Sequence, residues 1–258
     1  MAILDYLSLI KFRYHISFLS IALASFLFSK QAAFLTLKDL ALLYLSFNVL
    51  LYGGIYTLND IADVAADRQH PLKRTRPLPS NRVPLSSAKL FATILISLGL
   101  ASGFFFFGWR IMPLYLAFLT LTTLYTFFAK HIPYVELLVN STTQALRPVL
   151  ALVVIQVPIP WLLAAAYCFF SLGFVSIRRI VERDISGWEV NTVSTRYRLR
   201  NIIALTVIAF IAILAITIAD WYGHETFYVL MVMFYIVFVL GINFSPILRR
   251  ISKALVTR

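Results

Sequence analysis

The chain has 258 residues, 60% of them hydrophobic and only 13% charged, and its mean hydropathy is +0.85. This excludes an ordinary soluble domain, and the length supplies about eight membrane spans at ~20 residues each. The formal charge of +12 would suit nucleic acid in a soluble protein, but the basic residues sit beside apolar runs, so topology explains them and no nucleic-acid partner is expected.

Eight apolar segments are predicted at about 14–30, 40–59, 86–108, 111–129, 134–156, 159–182, 201–219 and 226–244. The first is flanked by Lys11, Arg13 and Lys30 and reads as a span, since no cleavage site is recognisable. The expected fold class is therefore all-α, a polytopic membrane helical bundle, with residues 1–258 as a single domain. With both termini on one side, nineteen Lys and Arg residues fall on that side and three on the other. The basic side is then cytoplasmic, and a multi-pass protein of the plasma membrane is expected. The one cysteine, Cys168, permits no disulfide within the chain.

The second segment closes on Asn59, Asp60, Asp63 and Asp67. On a continued helix Asn59, Asp63 and Asp67 recur every fourth residue and fall within roughly 80° on one face. Asp60 lies one step round. Polar groups at the edge of the hydrocarbon are costly, and clustered carboxylates repel unless a cation intervenes. Asp60, Asp63 and Asp67 are therefore candidate ligands for Mg²⁺, which commonly binds through one or two carboxylates plus substrate phosphates. The alternative is a solvated helix end bridged to Arg68 or Lys73. Gly53 and Gly54, just upstream, admit either a substrate or a neighbouring helix.

A loop follows with Pro71, Pro77 and Pro79, so an extended conformation is expected from His70 to Ser80. Lys73, Arg74 and Arg76 are candidate diphosphate ligands, or headgroup contacts of a positive-inside loop. Lys130, at the end of segment four, either meets phosphate or snorkels. Arg147 stands inside segment five after Asn140, Ser141, Thr142, Thr143 and Gln144. That patch cannot face lipid cheaply, so it is expected to line a cavity, with Arg147 turned to an anion or an acidic partner. Segment six ends in Arg178, Arg179, Glu182 and Asp184. The arginines suit a phosphate and the acids a second metal ion; an ion-pair network along the helix is the alternative.

At these residues the sequence resembles the UbiA superfamily of intramembrane prenyltransferases. The family motif Asn-Asp-x-x-Asp-x-x-x-Asp is complete in Asn59, Asp60, Asp63 and Asp67. Arg76 to Val83 is similar to the family's Arg-Pro-Leu-Pro-Ser-Gly-Arg-Val, with Asn81 in place of glycine. The resemblance implies nine membrane helices around a lipid-accessible cavity, one more than the eight counted. The usual paired aspartates of the second motif are not matched. The stretch Asp67 to Pro77, the Arg178, Arg179 and Glu182 set, Lys130, Glu136 and Arg147 resemble the branch typified by decaprenyl-phosphate phosphoribosyltransferase.

The resemblance implies a Mg²⁺-dependent transferase. Its partners would be a polyprenyl phosphate or diphosphate lipid and a phosphorylated sugar or aromatic co-substrate. Transfer of 5-phosphoribose from phosphoribosyl diphosphate to polyprenyl phosphate is preferred, because several cationic groups suit several phosphates. Prenyl transfer from a polyprenyl diphosphate to an aromatic or alcohol acceptor is the alternative. A solute transporter with Arg147 at its midplane is the reading from another class. An oligomer is compatible with all of them.

Overall fold

The computed structural model describes residues 2–29, 33–183 and 196–245. They are almost entirely helical, with no strand among the described residues. Seven helical stretches are long and apolar enough to cross a membrane, from Ile3–Phe28 to Leu199–Ala219, and a shorter apolar stretch covers Glu225–Leu240. All eight apolar segments are thus helical. The residues beyond 245 fall outside the described residues.

The second span is longer than expected, running from Leu35 to Gln69. It continues past Leu58 because Ala62, Ala65 and Ala66 are strong helix formers and no breaker intervenes. It stops at His70, whose backbone is extended, as the residue before a proline prefers. The motif carboxylates therefore project from a rigid helix.

The chain divides into two compact units, Met1–Phe127 with Arg147–Ile159, and Phe128–Leu146 with Pro160–Arg258. The first unit opens with α1 (Ala2–Leu9), a 3₁₀ segment (Phe12–Phe18) and α2 (Leu19–Phe28). The second span follows as α3 (Ala33–Leu43), a π-helical stretch (Tyr44–Tyr52) and α4 (Gly53–Gln69). Then come α5 (Leu85–Phe107), α6 (Met112–Phe127) and the second half of α7 (Val135–Val154). Wide π turns are rare and mark sites where helical regularity gives way to another demand. Here the turn faces α5 closely. A Cβ placed on Gly99 would lie 2.5 Å from the backbone nitrogen of Leu51. A Cβ on Gly54 would lie 3.0 Å from the carbonyl oxygen of Ala92, and one on Gly53 would meet Ile10. Helix packing takes up both glycines.

The second unit holds the first half of α7, then α8 (Trp161–Arg183), α9 (Leu199–Ala219), α10 (Glu225–Phe234), a π-helical stretch (Tyr235–Leu240) and α11 (Gly241–Phe244). α8 and α9 pack along each other around Ile177, Ile180, Val181 and Ile202.

Replacing Gly99 by alanine drives a methyl group into the Leu51 backbone, which cannot turn away as a side chain can. G99A is expected to lose about 1–3 kcal/mol of stability, read as a lower Tm in detergent. An unchanged Tm contradicts the backbone contact.

Candidate active site

α4 carries the acidic motif. Asp60 is buried and forms an ion pair with the Lys11 ammonium. Lys11 stands at the break between α1 and the 3₁₀ segment, with φ +56°. Its Nζ also lies 5.7 Å from the centre of the Tyr56 ring. Asp67 is buried two turns further on. Arg76 Nη1 donates to its Oδ2 at 2.9 Å, and Lys73 Nζ lies 3.6 Å from Oδ1. Thr126 Oγ1 donates to Asn59 Oδ1 at 3.3 Å, and Asp63 is half-buried. Seven residues of helix separate Asp60 and Asp67 by ~10 Å along the axis, so each is drawn to its own cation. Among the described residues no three acidic, histidine or cysteine side chains gather closely enough to enclose one ion. The donor set still fits Mg²⁺ in its common mode, with one or two carboxylates held by the protein and phosphate oxygens completing the shell.

The following loop is folded, not extended. His70 Nδ1 accepts the N–H groups of Leu72 and Lys73 at 3.2 and 3.3 Å, which shapes a 3₁₀ turn at Lys73–Thr75. Leu78 and Val83 are buried against Leu9 and Ala88, anchoring the loop to the body of the unit. Arg82 pairs with Asp5 at 3.2 Å and donates to the Thr75 carbonyl at 2.9 Å. Asn81 adopts φ +58° and accepts from Arg68 Nη2 at 2.8 Å. Asparagine is the side chain that best tolerates this left-handed position after glycine, which accounts for its place in the motif. Lys73 and Arg76 are thereby held over Asp67, and Arg74 is exposed.

Among the described residues no acidic side chain pairs with Arg147. Arg147 is 1% exposed, and its guanidinium carbon lies 4.5, 5.3 and 5.7 Å from the ring centres of Tyr52, Phe118 and Phe47. Among the described residues none hydrogen-bonds Nε, Nη1 or Nη2, and the side chain of Asn48 on the π turn is likewise buried without a partner. The aromatic faces supply the counter-charge that a carboxylate would supply elsewhere. The three hydroxyls of the patch before Arg147 are satisfied locally: Ser141, Thr142 and Thr143 donate to carbonyls of their own helix.

In the second unit Arg179 is committed to a buried network. Its Nε and Nη2 donate to Glu136 Oε1 and Oε2 at 2.5 and 2.6 Å. Tyr197 donates to Glu136 Oε1 at 2.7 Å, and its oxygen accepts from the Tyr134 N–H at 3.2 Å. Burial pushes the Tyr197 phenol up, so it stays a donor. Arg179 thus takes a partner from α7, while the acids of the ion-pair alternative, Glu182 and Asp184, lie outside the described side chains. Arg178 is exposed, and Lys130 is half-buried in a 3₁₀ turn at Ala129–His131. Glu182 belongs to the last turn of α8. Its side chain and the whole of Asp184 lie outside the described residues.

The model of the UbiA prenyltransferase family matches residues 18–253. The chain belongs to that family. A UbiA homologue from Archaeoglobus fulgidus, solved bound to GPP and Mg²⁺, superposes with a TM-score of 0.78 at 17% identity, covering 98% of this chain and 95% of that one. Decaprenyl-phosphate phosphoribosyltransferase from Mycobacterium tuberculosis is 30% identical over 141 residues, 53% of this chain and 45% of the relative. Digeranylgeranylglyceryl phosphate synthase from Methanocaldococcus jannaschii is 44% identical over 59 residues, 23% of this chain and 19% of the relative. The aligned part of the chain thus spans less than half the length of these curated relatives. The match places the chain in a family of transferases, and seven of its described helices are long and apolar enough to cross a membrane; neither finding favours the transporter reading.

The structure adds Lys11 and Tyr197 to the candidate residues named from the sequence, and gives Glu136, named there only by resemblance, its partners. Glu136 carried a signal, since an acid in an apolar segment needs a partner. Lys11 was counted only as a topological charge, and nothing local to Tyr197 marked it.

Removing one member of the Glu136–Arg179 pair strands the other in the interior. E136L or R179L alone is expected to cost about 3–5 kcal/mol, and the double variant to recover much of that. Thermal melts of the three in detergent check it. A single variant as stable as the parent contradicts the pairing.

Proposed function

We propose that the whole chain acts as one Mg²⁺-dependent transferase domain that moves 5-phosphoribose from phosphoribosyl diphosphate to a polyprenyl phosphate. The observation that carries this reading is the pairing of one buried α4 carboxylate, Asp67, with Lys73 and Arg76 from the loop directly after it, two turns from buried Asp60. Acids suit a metal, and bases beside them suit the diphosphate that the metal holds. The name of the Mycobacterium tuberculosis relative, and the similarity from Asp67 to Pro77, favour the phosphoribosyl donor. The charge asymmetry favours the cytoplasmic face of the plasma membrane.

Asp60, Asp63 and Asp67 would hold Mg²⁺, which when bound draws negative charge from the departing diphosphate. Asn59, beside Asp60 and fixed by Thr126, orients the polar edge of the donor. Lys73, Arg74 and Arg76 bind phosphate oxygens and stabilise the charge that gathers there as the ribose C1–O bond breaks. The polyprenyl phosphate oxygen forms the new bond to C1, and diphosphate leaves. That oxygen is already anionic near neutral pH, because the second ionisation of a phosphate monoester lies at about 6. No general base is needed.

The second reading is prenyl transfer from a polyprenyl diphosphate. It is favoured by the Methanocaldococcus jannaschii relative and by the GPP held in the Archaeoglobus fulgidus homologue. Both readings share the leaving group, so the α4 motif serves either.

Purified protein with labelled phosphoribosyl diphosphate and polyprenyl phosphate is expected to give a labelled lipid only with Mg²⁺. D60N and D63N are expected to lower kcat by about 100-fold or more. Transfer from a prenyl diphosphate alone would reject the phosphoribosyl donor and retain the family activity.

A further inference from the structure

The pair between Lys11 and Asp60 is out of keeping with a site that needs Asp60 for a metal. The Lys11 side chain is 16% exposed and that of Asp60 9%, so both are largely withdrawn from water. A lysine ammonium is a compact point charge on a flexible stem, able to turn between acceptors. Lys11 also occupies a left-handed backbone position that glycine or asparagine fills at less cost. A divalent ion on Asp60 would sit against the ammonium and repel it. An arriving diphosphate would offer that ammonium new oxygens within reach. Tyr56 gives Lys11 a ring face to slide across, and Tyr56 is itself fixed by a 2.7 Å hydrogen bond to Tyr52 and by stacking on Tyr14.

We infer that Lys11 is the exchangeable counter-cation of the donor site: it neutralises Asp60 while the site is empty, and passes to a phosphate oxygen of the donor when the metal takes the carboxylate. This rests on the donor-site reading above and adds to it a binding residue from the first span. It makes loading ordered. Metal alone must displace a tethered cation, whereas metal with diphosphate gives that cation a place to go. The free ion therefore binds weakly and the metal–diphosphate unit binds well.

The test is Mn²⁺ binding to the full chain in detergent, followed by the electron paramagnetic resonance of free Mn²⁺, with and without inorganic pyrophosphate. In K11M, which keeps the stem and removes the charge, Mn²⁺ alone is expected to bind about tenfold more tightly, and pyrophosphate in the presence of Mn²⁺ about tenfold more weakly. A merely structural role for Lys11 lowers Tm without tightening Mn²⁺ binding, and that result overturns the proposal. Should K11M not fold, amine acylation of the unaltered protein, read by mass spectrometry, serves instead. Lys11 is expected to be protected without metal, more reactive with Mn²⁺ alone, and protected again with Mn²⁺ and pyrophosphate. Reactivity indifferent to Mn²⁺ overturns the proposal. If the unaltered protein binds neither Mn²⁺ nor pyrophosphate, the donor-site reading itself falls. Normal binding with no effect of Lys11 removes only this inference.

Discussion

A charge placed at the edge of a hydrocarbon layer must be matched, and this chain places several there. Desolvation makes an isolated carboxylate or guanidinium in such a position untenable. Among the described residues each buried carboxylate and guanidinium is accordingly matched, and the kind of match differs with what the site has to do. Asp60 and Asp67 meet lysine and arginine from a helix break and a loop. Arg147 meets three aromatic faces. Glu136 meets a guanidinium and a phenol together.

These matches are not equivalent. The Glu136–Arg179 pair is bidentate and buried, and Tyr197 donates to the same carboxylate. That geometry is specific and hard to exchange. It reads as permanent architecture. The partners of the α4 carboxylates are carried on or beside segments that lack regular helix: the break at Lys11 and the turn at Lys73–Thr75. A flexible cation beside an acid neutralises it in the empty state and yields when a stronger cation arrives with its anion. The loop that bears these bases is nonetheless fixed in place by Leu78 and Val83. Fixing the backbone while the Lys73 and Arg76 tips rest on Asp67 suits a site that must accept and release a highly charged donor.

The features written in local sequence were legible. Apolar runs gave the helices, and the spacing of Asn59, Asp60, Asp63 and Asp67 gave the acidic face of α4. The departure at Asn81 was visible as a departure, and its cause is a backbone angle that sequence does not display. What escaped was long-range pairing. Lys11 reaches Asp60 across 49 positions, and Arg179 reaches Glu136 across 43. The cage around Arg147 draws on Phe47, Tyr52 and Phe118, which share no periodicity with it. The prolines of the 71–79 stretch excluded a long helix but could not reveal that two buried aliphatic residues would fold the loop back. Local chemistry was readable; the partner of each charge was not.

The central claim is that the α4 carboxylates receive a metal together with a diphosphate. Crystals grown with Mn²⁺ and phosphoribosyl diphosphate test it through the anomalous scattering of manganese. The account predicts a manganese peak in contact with Asp60 and at least one other motif carboxylate, shared with diphosphate oxygens, and a Lys11 ammonium no longer on Asp60. A peak elsewhere, with the Lys11–Asp60 pair intact beside a bound donor, would contradict it.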